Sequence, residues 1–448
     1  MINNDASLLI RPDEYGLLTD LYQLTMAACY VGEGLDQRRA SFELFVRRLP
    51  NRFGYLIAAG LASALDYLKN FQFTAEQLTA LKATDIFTEA PAEFWSLLEN
   101  SRFTGDVWAV PEGTAIFANE PILRVEAPLW QAQIVETYLL NTINYQTLIA
   151  TRAARLRDVA GPEATLLEFG TRRAFSPQAA LWAARAALAG GLDATSNVLA
   201  ALKLGRKPAG TMAHALVMAI SALEGSETEA FAAFHRYFPG APLLIDTYDT
   251  MAAAKGLKQN PPEALAGIRL DSGDLVALSQ QVRQELPQVP IFASGDLDEY
   301  EILRLKQAGA CIDGYGLGTK LVTGSPVNGV YKLVDIDGIP VMKEASGKFT
   351  YPGRKQIFRS ETGDTLGLAV EAESLRSAGL LKRVMHDGQP LVPGESLEVI
   401  RERTTQSVAQ LPPQVRNVSD PAVPQATISK ALQTLTESTR RNHLVTVS

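Results

Sequence analysis

Six short segments in the middle of this 448-residue chain end apolar, β-prone runs on side chains that bind anions or move protons. They are Glu168-Phe169-Gly170-Thr171-Arg172-Arg173, Gly210-Thr211-Met212-Ala213-His214, Asp246-Thr247-Tyr248-Asp249, Arg269-Leu270-Asp271-Ser272-Gly273-Asp274, Ser294-Gly295-Asp296 and Gly316-Leu317-Gly318-Thr319-Lys320. Glycines and hydroxyls ahead of helix N-termini cradle phosphates through backbone N–H groups. Aspartates hold ribose hydroxyls, or Mg2+ through its waters. Together the segments point to a phosphorylated sugar or nucleotide.

Each signal has a plainer reading. Gly316 to Lys320 is too short for a P-loop and commonly marks a tight strand-to-helix turn. Asp274 and Asp298 fit helix caps better than ligands, and Asp249 equally anchors a turn. Asp271 is harder to dismiss, because its helix already has Asp274 as cap. A lone histidine is usually structural, yet His214 opens an apolar helix on the rim where the phosphate-type residues gather. There an imidazole serves as a base or as a nucleophile accepting a phosphoryl group. Arginine forks hold carboxylates and phosphates at two points. The plain alternative for Arg172 and Arg173 is a pairing with Glu168 or an aspartate across the barrel. One functional arginine of the two is expected.

These residues need a frame that brings strand ends together. Strand ends at 246, 271, 294 and 316 are 25, 23 and 22 residues apart, the rhythm of βα units with parallel strands. Leu275, Leu278, Val282 and Leu286 share one helix face. The earlier units are wider, so an irregular (β/α) barrel is expected over residues 136–325, with six units countable. Parallel barrels place ligands at the C-terminal strand ends, where all six segments lie. Residues 1–135 mix helices with turn-rich strands. Residues 326–448 open with hairpin patterns at Val330–Val341 and Gly347–Arg359, turning at Asp337-Gly338 and Pro352-Gly353. The flanks are expected to combine as one discontinuous α+β domain, ending in a helix from about Ser429.

Composition excludes several classes. Lys plus Arg number 42 against 49 Asp plus Glu, a net charge of −7, which does not suit a nucleic-acid binder. Cys29 and Cys311 are the only cysteines, too few for a disulfide framework or a thiolate zinc cage. None of His214, His235, His386 and His443 is four residues from another, which argues against a His-pair metal site. The start of the chain lacks a signal-peptide pattern, and no apolar run approaches the ~18 residues of a membrane span. A cytoplasmic protein is expected.

The chain resembles the nicotinate phosphoribosyltransferases of NAD biosynthesis. The resemblance is carried by Thr19-Asp-Leu-Tyr-Gln-Leu-Thr-Met26, Phe42-Glu-Leu-Phe45, Glu168 to Arg173 and Gly190-Gly-Leu-Asp-Ala-Thr-Ser-Asn197. It continues through Gly210 to His214, Arg269 to Asp274, Gly316 to Thr319 and Gly329-Val-Tyr-Lys332. It implies that nicotinate and phosphoribosyl pyrophosphate give nicotinate mononucleotide and pyrophosphate, with ATP hydrolysed alongside through a phosphohistidine at His214. Asp271 is assigned to stabilising an oxocarbenium-like transition state, or to holding the ribose hydroxyls and Mg2+. The resemblance places Tyr22, Thr211 and Arg269 at or near nicotinate, with Phe169 and Arg172 or Arg173 stacking and clamping its ring. Ser294, Gly295, Asp296, Gly316, Gly318 and Thr319 match loops that take the ribose 5-phosphate. It also implies a homodimer in which Tyr22 of one subunit completes the partner's site.

Neighbouring activities remain as alternatives. Asp193 is counted with the substrate residues; as acceptor of a carboxamide N–H it would suit a nicotinamide phosphoribosyltransferase. Quinolinate, with two carboxylates, calls for a more basic pocket. A phosphosugar lyase of the barrel class needs a Schiff-base lysine, for which only Lys320 stands in the six rim segments.

Overall fold

The computed structural model of the protein describes residues 10–345, 348–374, 378–391 and 393–446. It separates into two units, Leu148–Ser325 with Leu397–Ala422, and Met1–Thr147 with Pro326–Ser396 and Val423–Ser448.

The first unit is built on six short parallel strands in the order Ala194–Thr195, Thr165–Glu168, Gly314–Leu317, Ile291–Ala293, Ile268–Leu270, Leu243–Leu244. Leu166, Leu244, Ile268, Leu270, Ile291 and Leu317 are fully buried, as strands covered on both faces require. The gap between the first and last strands is bridged by the 209–212 segment. Ala209 N donates to Thr195 O at 2.9 Å on one side, and Thr211 Oγ1 donates to Pro242 O on the other. This is the partial, irregular barrel that the spacing predicts.

Two details differ from the sequence reading. Gly210-Thr211 was expected to end a strand, but it only bridges the seam, and the ladder strand is Ala194–Thr195. A two-residue strand carries no periodicity to read. The long gap before Asp246 holds two helices, His214–Glu224 and Glu227–Tyr237. Asp249, Asp274 and Asp298 are N-caps, each accepting backbone N–H groups of its helix.

In the second unit, strands from both ends of the chain interleave in one antiparallel sheet. Its order is Ile339–Pro340, Gly329–Ile336, Arg39–Val46, Pro121–Pro128, Asp106–Ala109, Lys382–His386, Gln389–Pro390. The sheet draws on both flanks, so the flanking fold is discontinuous, as expected. Asp337 and Gly338, with φ of 50° and 80°, make the tight turn of the first hairpin. The second expected hairpin does not form across Pro352-Gly353. Gly353 N donates to Val334 O at 2.8 Å, and Lys355–Ser360 pairs with Gly363–Leu368 instead. Gly347, where that hairpin was expected to begin, lies outside the described residues. The last helix runs Lys430–Thr446.

The domain edges also shift. Residues 136–147 cluster with the flanking unit, and Leu397–Ala422 with the barrel. Helix Leu397–Ala409 is fastened to the barrel by Leu397 and Ile400 packing on Leu188 and Ala189, and by Thr404 Oγ1 donating to Ala189 O at 2.9 Å.

Candidate active site

A cleft of about 1160 Å3 opens at the C-terminal ends of the barrel strands. The loop after Thr165–Glu168 supplies its aromatic and cationic wall. Glu168 is fully buried, accepting from Gly170 N and from Thr195 Oγ1, and burial raises its pKa. Its carboxyl is therefore engaged below the rim, unavailable to the arginines. Arg172 and Arg173 line the cleft, are exposed, and have no carboxylate partner among the described residues. The plain reading of the pair as structural is not what the geometry shows.

Phe169, anchored by its N–H to Leu317 O at 2.7 Å, lies against Gly316. A Cβ added at Gly316 would stand 2.7 Å from two atoms of the Phe169 ring. Gly295, at φ 89°, faces Asp271 O, which an added Cβ would meet at 2.5 Å; Asp296 follows at φ 32°. These glycines permit close approach of backbone and ring at the rim. Gly318 and Thr319 line the same cleft and open a single short turn, Thr319–Val322.

His214 is the first residue of its helix and half-exposed, gripped from two sides by consecutive residues of the next strand end. Its Nδ1 lies 3.0 Å from Thr247 Oγ1, and its Nε2 4.0 Å from Asp246 Oδ1. The Asp246 side chain is only 3% exposed. Its Oδ2 accepts from Asp271 N and Ser272 Oγ, both at 2.8 Å, while Oδ1 has no donor among the described residues. Asp271 in turn accepts from the buried Ser294 Oγ at 2.5 Å. One chain of contacts thus joins His214, Asp246, Asp271 and Ser294. Glu227 stands behind it, its pKa pushed up to about 7 by burial, then by Asp246 and Asp249. Sequence reasoning had Asp246 and Thr247 on the rim but gave them no role, and it missed Glu227. Alignment of Asp246 with the other strand ends was the available signal; Glu227 left none.

Arg269 reaches Met212 O through Nη2 at 3.1 Å, and its buried Nε has no acceptor among the described residues. Burial lowers its pKa, against the pull of Asp271 and Asp246. Thr211 lines the cleft, but its hydroxyl proton is committed to Pro242 O.

Two expected residues are elsewhere. Asp193 precedes its strand, at the opposite end of the barrel from the cleft. Its carboxylate takes Leu166 N at 2.8 Å, Arg157 at 2.6 Å and Arg401 at 2.5 Å, so it ties Leu397–Ala409 to the barrel and does not line the cleft. Tyr22 belongs to the flanking unit, exposed on helix Leu21–Gly32 with its hydroxyl 3.4 Å from Glu136. Lys332 lies 3.9 Å from the same carboxylate. Burial lowers the Lys332 pKa, opposed by Glu136 and assisted by Arg47, Lys343 and Lys348.

Among the described residues, the one set close enough for direct metal ligation is Asp106, His386 and Asp387, which does not line the cleft. The cleft carboxylates Asp271 and Asp296 are of the type that would hold Mg2+ through its waters. Lys320 is salt-bridged to Asp298 at 3.0 Å, and that contact raises its pKa. A Schiff-base lysine needs the reverse.

Fold and cleft together define a parallel-barrel protein with an anion-binding rim built around one histidine. The chain matches the nicotinate phosphoribosyltransferase N-terminal domain over residues 17–144, the nicotinate phosphoribosyltransferase family over 164–293 and its C-terminal domain over 367–436. A nicotinate phosphoribosyltransferase of Mycobacterium tuberculosis is 40% identical over 432 residues, 92% of this chain and 91% of that protein. One from Bacillus subtilis is 45% identical over 375 residues, 78% and 74% of the two chains. The crystal structure of human nicotinic acid phosphoribosyltransferase superposes with a TM-score of 0.80 at 31% identity, covering 94% of this chain and 99% of that one. The protein belongs to the nicotinate phosphoribosyltransferase family. Among the described residues no helix is long and apolar enough to cross a membrane.

Proposed function

We propose that the protein condenses nicotinate with phosphoribosyl pyrophosphate and couples the reaction to ATP through phosphorylation of His214. The observation that carries this reading is His214 held between Thr247 and Asp246 on a rim with two unpaired arginines.

In the first stage an imidazole nitrogen attacks the terminal phosphorus of ATP, the P–O bond to ADP breaks, and ADP leaves with the electron pair. The phosphorylated ring carries positive charge, and the donorless Asp246 Oδ1 is placed to balance it. In the second stage the ribose C1–O bond to pyrophosphate lengthens, and charge grows on the ring. Asp271 faces that charge or the ribose hydroxyls, with its orientation fixed by Ser294. The nicotinate nitrogen attacks C1 with its own lone pair, so no general base is needed and positioning carries the rate. Phe169 stacks the ring while Arg172 or Arg173 takes the carboxylate. Water then breaks the P–N bond, releasing phosphate and restoring the His214 imidazole, and Mg2+ bound to the diphosphate would neutralise its developing charge.

The same arrangement ranks the alternatives. Asp193, the residue that suited a carboxamide, is engaged at the far end of the barrel, and two free arginines favour a carboxylate. The lyase reading loses its lysine to Asp298. Incubation with ATP labelled on its terminal phosphate tests the coupling. Acid-labile label should appear on the wild type and vanish in His214→Ala; an unlabelled wild type removes the phosphohistidine. Turnover of nicotinate and nicotinamide in competition tests the substrate, with preference for nicotinamide counting against it.

A further inference from the structure

A row of side chains crosses the antiparallel sheet of the flanking unit, from Lys332 beside Glu136 to residues that the chemistry above does not use. In register, Lys332 pairs with Glu43, Glu43 with Arg124, Arg124 with Trp108, and Trp108 with Arg383. Directly opposed residues share a face, so five strands contribute to one file of charges and one indole.

Most of the file is internally matched. Glu43 takes Lys355 Nζ at 2.8 Å, and Arg124 donates to Glu126 at 2.7 Å and to Lys355 O at 2.6 Å. The far end is not. Arg383 is exposed and has no carboxylate partner among the described residues; its guanidinium lies 5.9 Å from the Trp108 ring centroid. Trp108 Nε1 is buried with no acceptor among the described residues, an orphan donor of the kind that carries a desolvation cost.

Both residues border a groove of about 530 Å3. Leu368, Val370, Leu381 and Leu435 give it an apolar wall. Arg124, Arg354, Lys382 and Arg383 outnumber its acids, Glu126 and Asp335, by two. A neutral apolar ligand leaves that excess charge unanswered, and a heavily charged one wastes the apolar wall.

We propose that this groove is a binding site for a small organic anion, a single carboxylate or phosphate monoester on a compact apolar body, whose charged head pairs with Arg383 beside Trp108. The site is separate from the barrel cleft and does not depend on the reaction assigned there.

The anionic aromatic probe 8-anilinonaphthalene-1-sulfonate tests the site on the full-length protein, with nicotinate and excess pyrophosphate present to fill the barrel cleft. The expected result is saturable binding with quenching of tryptophan emission, the quenching being reduced in Trp108→Phe. Arg383→Glu should weaken probe binding about tenfold or more while leaving the circular dichroism spectrum unchanged, because an exposed charge-assisted contact has been replaced by repulsion. Equal affinity in wild type and Arg383→Glu overturns the proposal. So does absence of saturable binding.

Discussion

At the scale of single residues, Asp246 connects the groups that the two proposed stages require. One carboxylate oxygen fixes the Asp271 backbone and Ser272, and the other faces His214 Nε2 at 4.0 Å. Asp246→Asn keeps the shape and removes the charge. Label uptake from ATP should fall roughly 10–100-fold, the scale expected for one close charge in a partly shielded site. Uptake equal to wild type would deny Asp246 that role. Glu227 gives a second, pH-dependent prediction. Burial and two neighbouring aspartates raise its pKa to about 7, so the folded state holds its proton more tightly than the unfolded chain does. The stability linked to that proton is fully present below the ordinary carboxyl pKa and is lost as pH rises through about 7. Glu227→Gln should therefore melt a few degrees above wild type at pH 8, and the two curves should converge near pH 4.5. A constant offset across that range would show that Glu227 does not titrate in the window.

At the scale of elements, the rim is shaped by what glycine leaves out. Gly316 lets the Phe169 ring lie across a strand end, and Gly316→Ala would drive a methyl to 2.7 Å from that ring. The ring must move, and because positioning carries the rate, KM for nicotinate should rise roughly tenfold or more while melting changes little. An unchanged KM would remove Phe169 from the nicotinate site. The strand-end loops were legible in the sequence because βα units repeat at 22 to 25 residues and each strand ends in a Gly, Asp or hydroxyl cluster. What was not legible followed from length and partnering. Ala194–Thr195 is too short to show alternation, so nothing in the sequence marked the residue before it, Asp193, as lying ahead of a strand rather than after one. Pro352-Gly353 has turn chemistry, but turn residues do not choose the pairing partner; Lys355–Ser360 found Gly363–Leu368. Asp246 carried no local mark separating it from a turn residue, and its importance rests on contacts 25 and 32 residues away in sequence, to Asp271 and His214.

At the scale of the whole molecule, the chain's two ends build a sheet between them, with Arg39–Val46 paired to Gly329–Ile336 on one side and to Pro121–Pro128 on the other. That unit carries an exposed tyrosine, Tyr22, beside Glu136, and near the same carboxylate Lys332, whose charge is opposed by those of Arg47, Lys343 and Lys348. An exposed aromatic next to excess positive charge suits a nicotinate ring and a diphosphate, and in the homodimer that the family resemblance implies it would complete the partner's cleft. The arrangement has a consequence that a monomer cannot imitate. Tyr22→Ala and His214→Ala should each cripple both sites of their own homodimers, the first through the partner-supplied tyrosine, the second through the cleft. Dissociated, mixed in equal amounts and reassembled, half of the dimers pair one variant with the other. In each such hybrid one site draws both defects and the other draws none. The mixture should regain about a quarter of wild-type turnover, set by the symmetry of a two-fold dimer. Activity that stays at the average of the two variants alone would place Tyr22 outside the partner's cleft and leave each subunit to complete its own site.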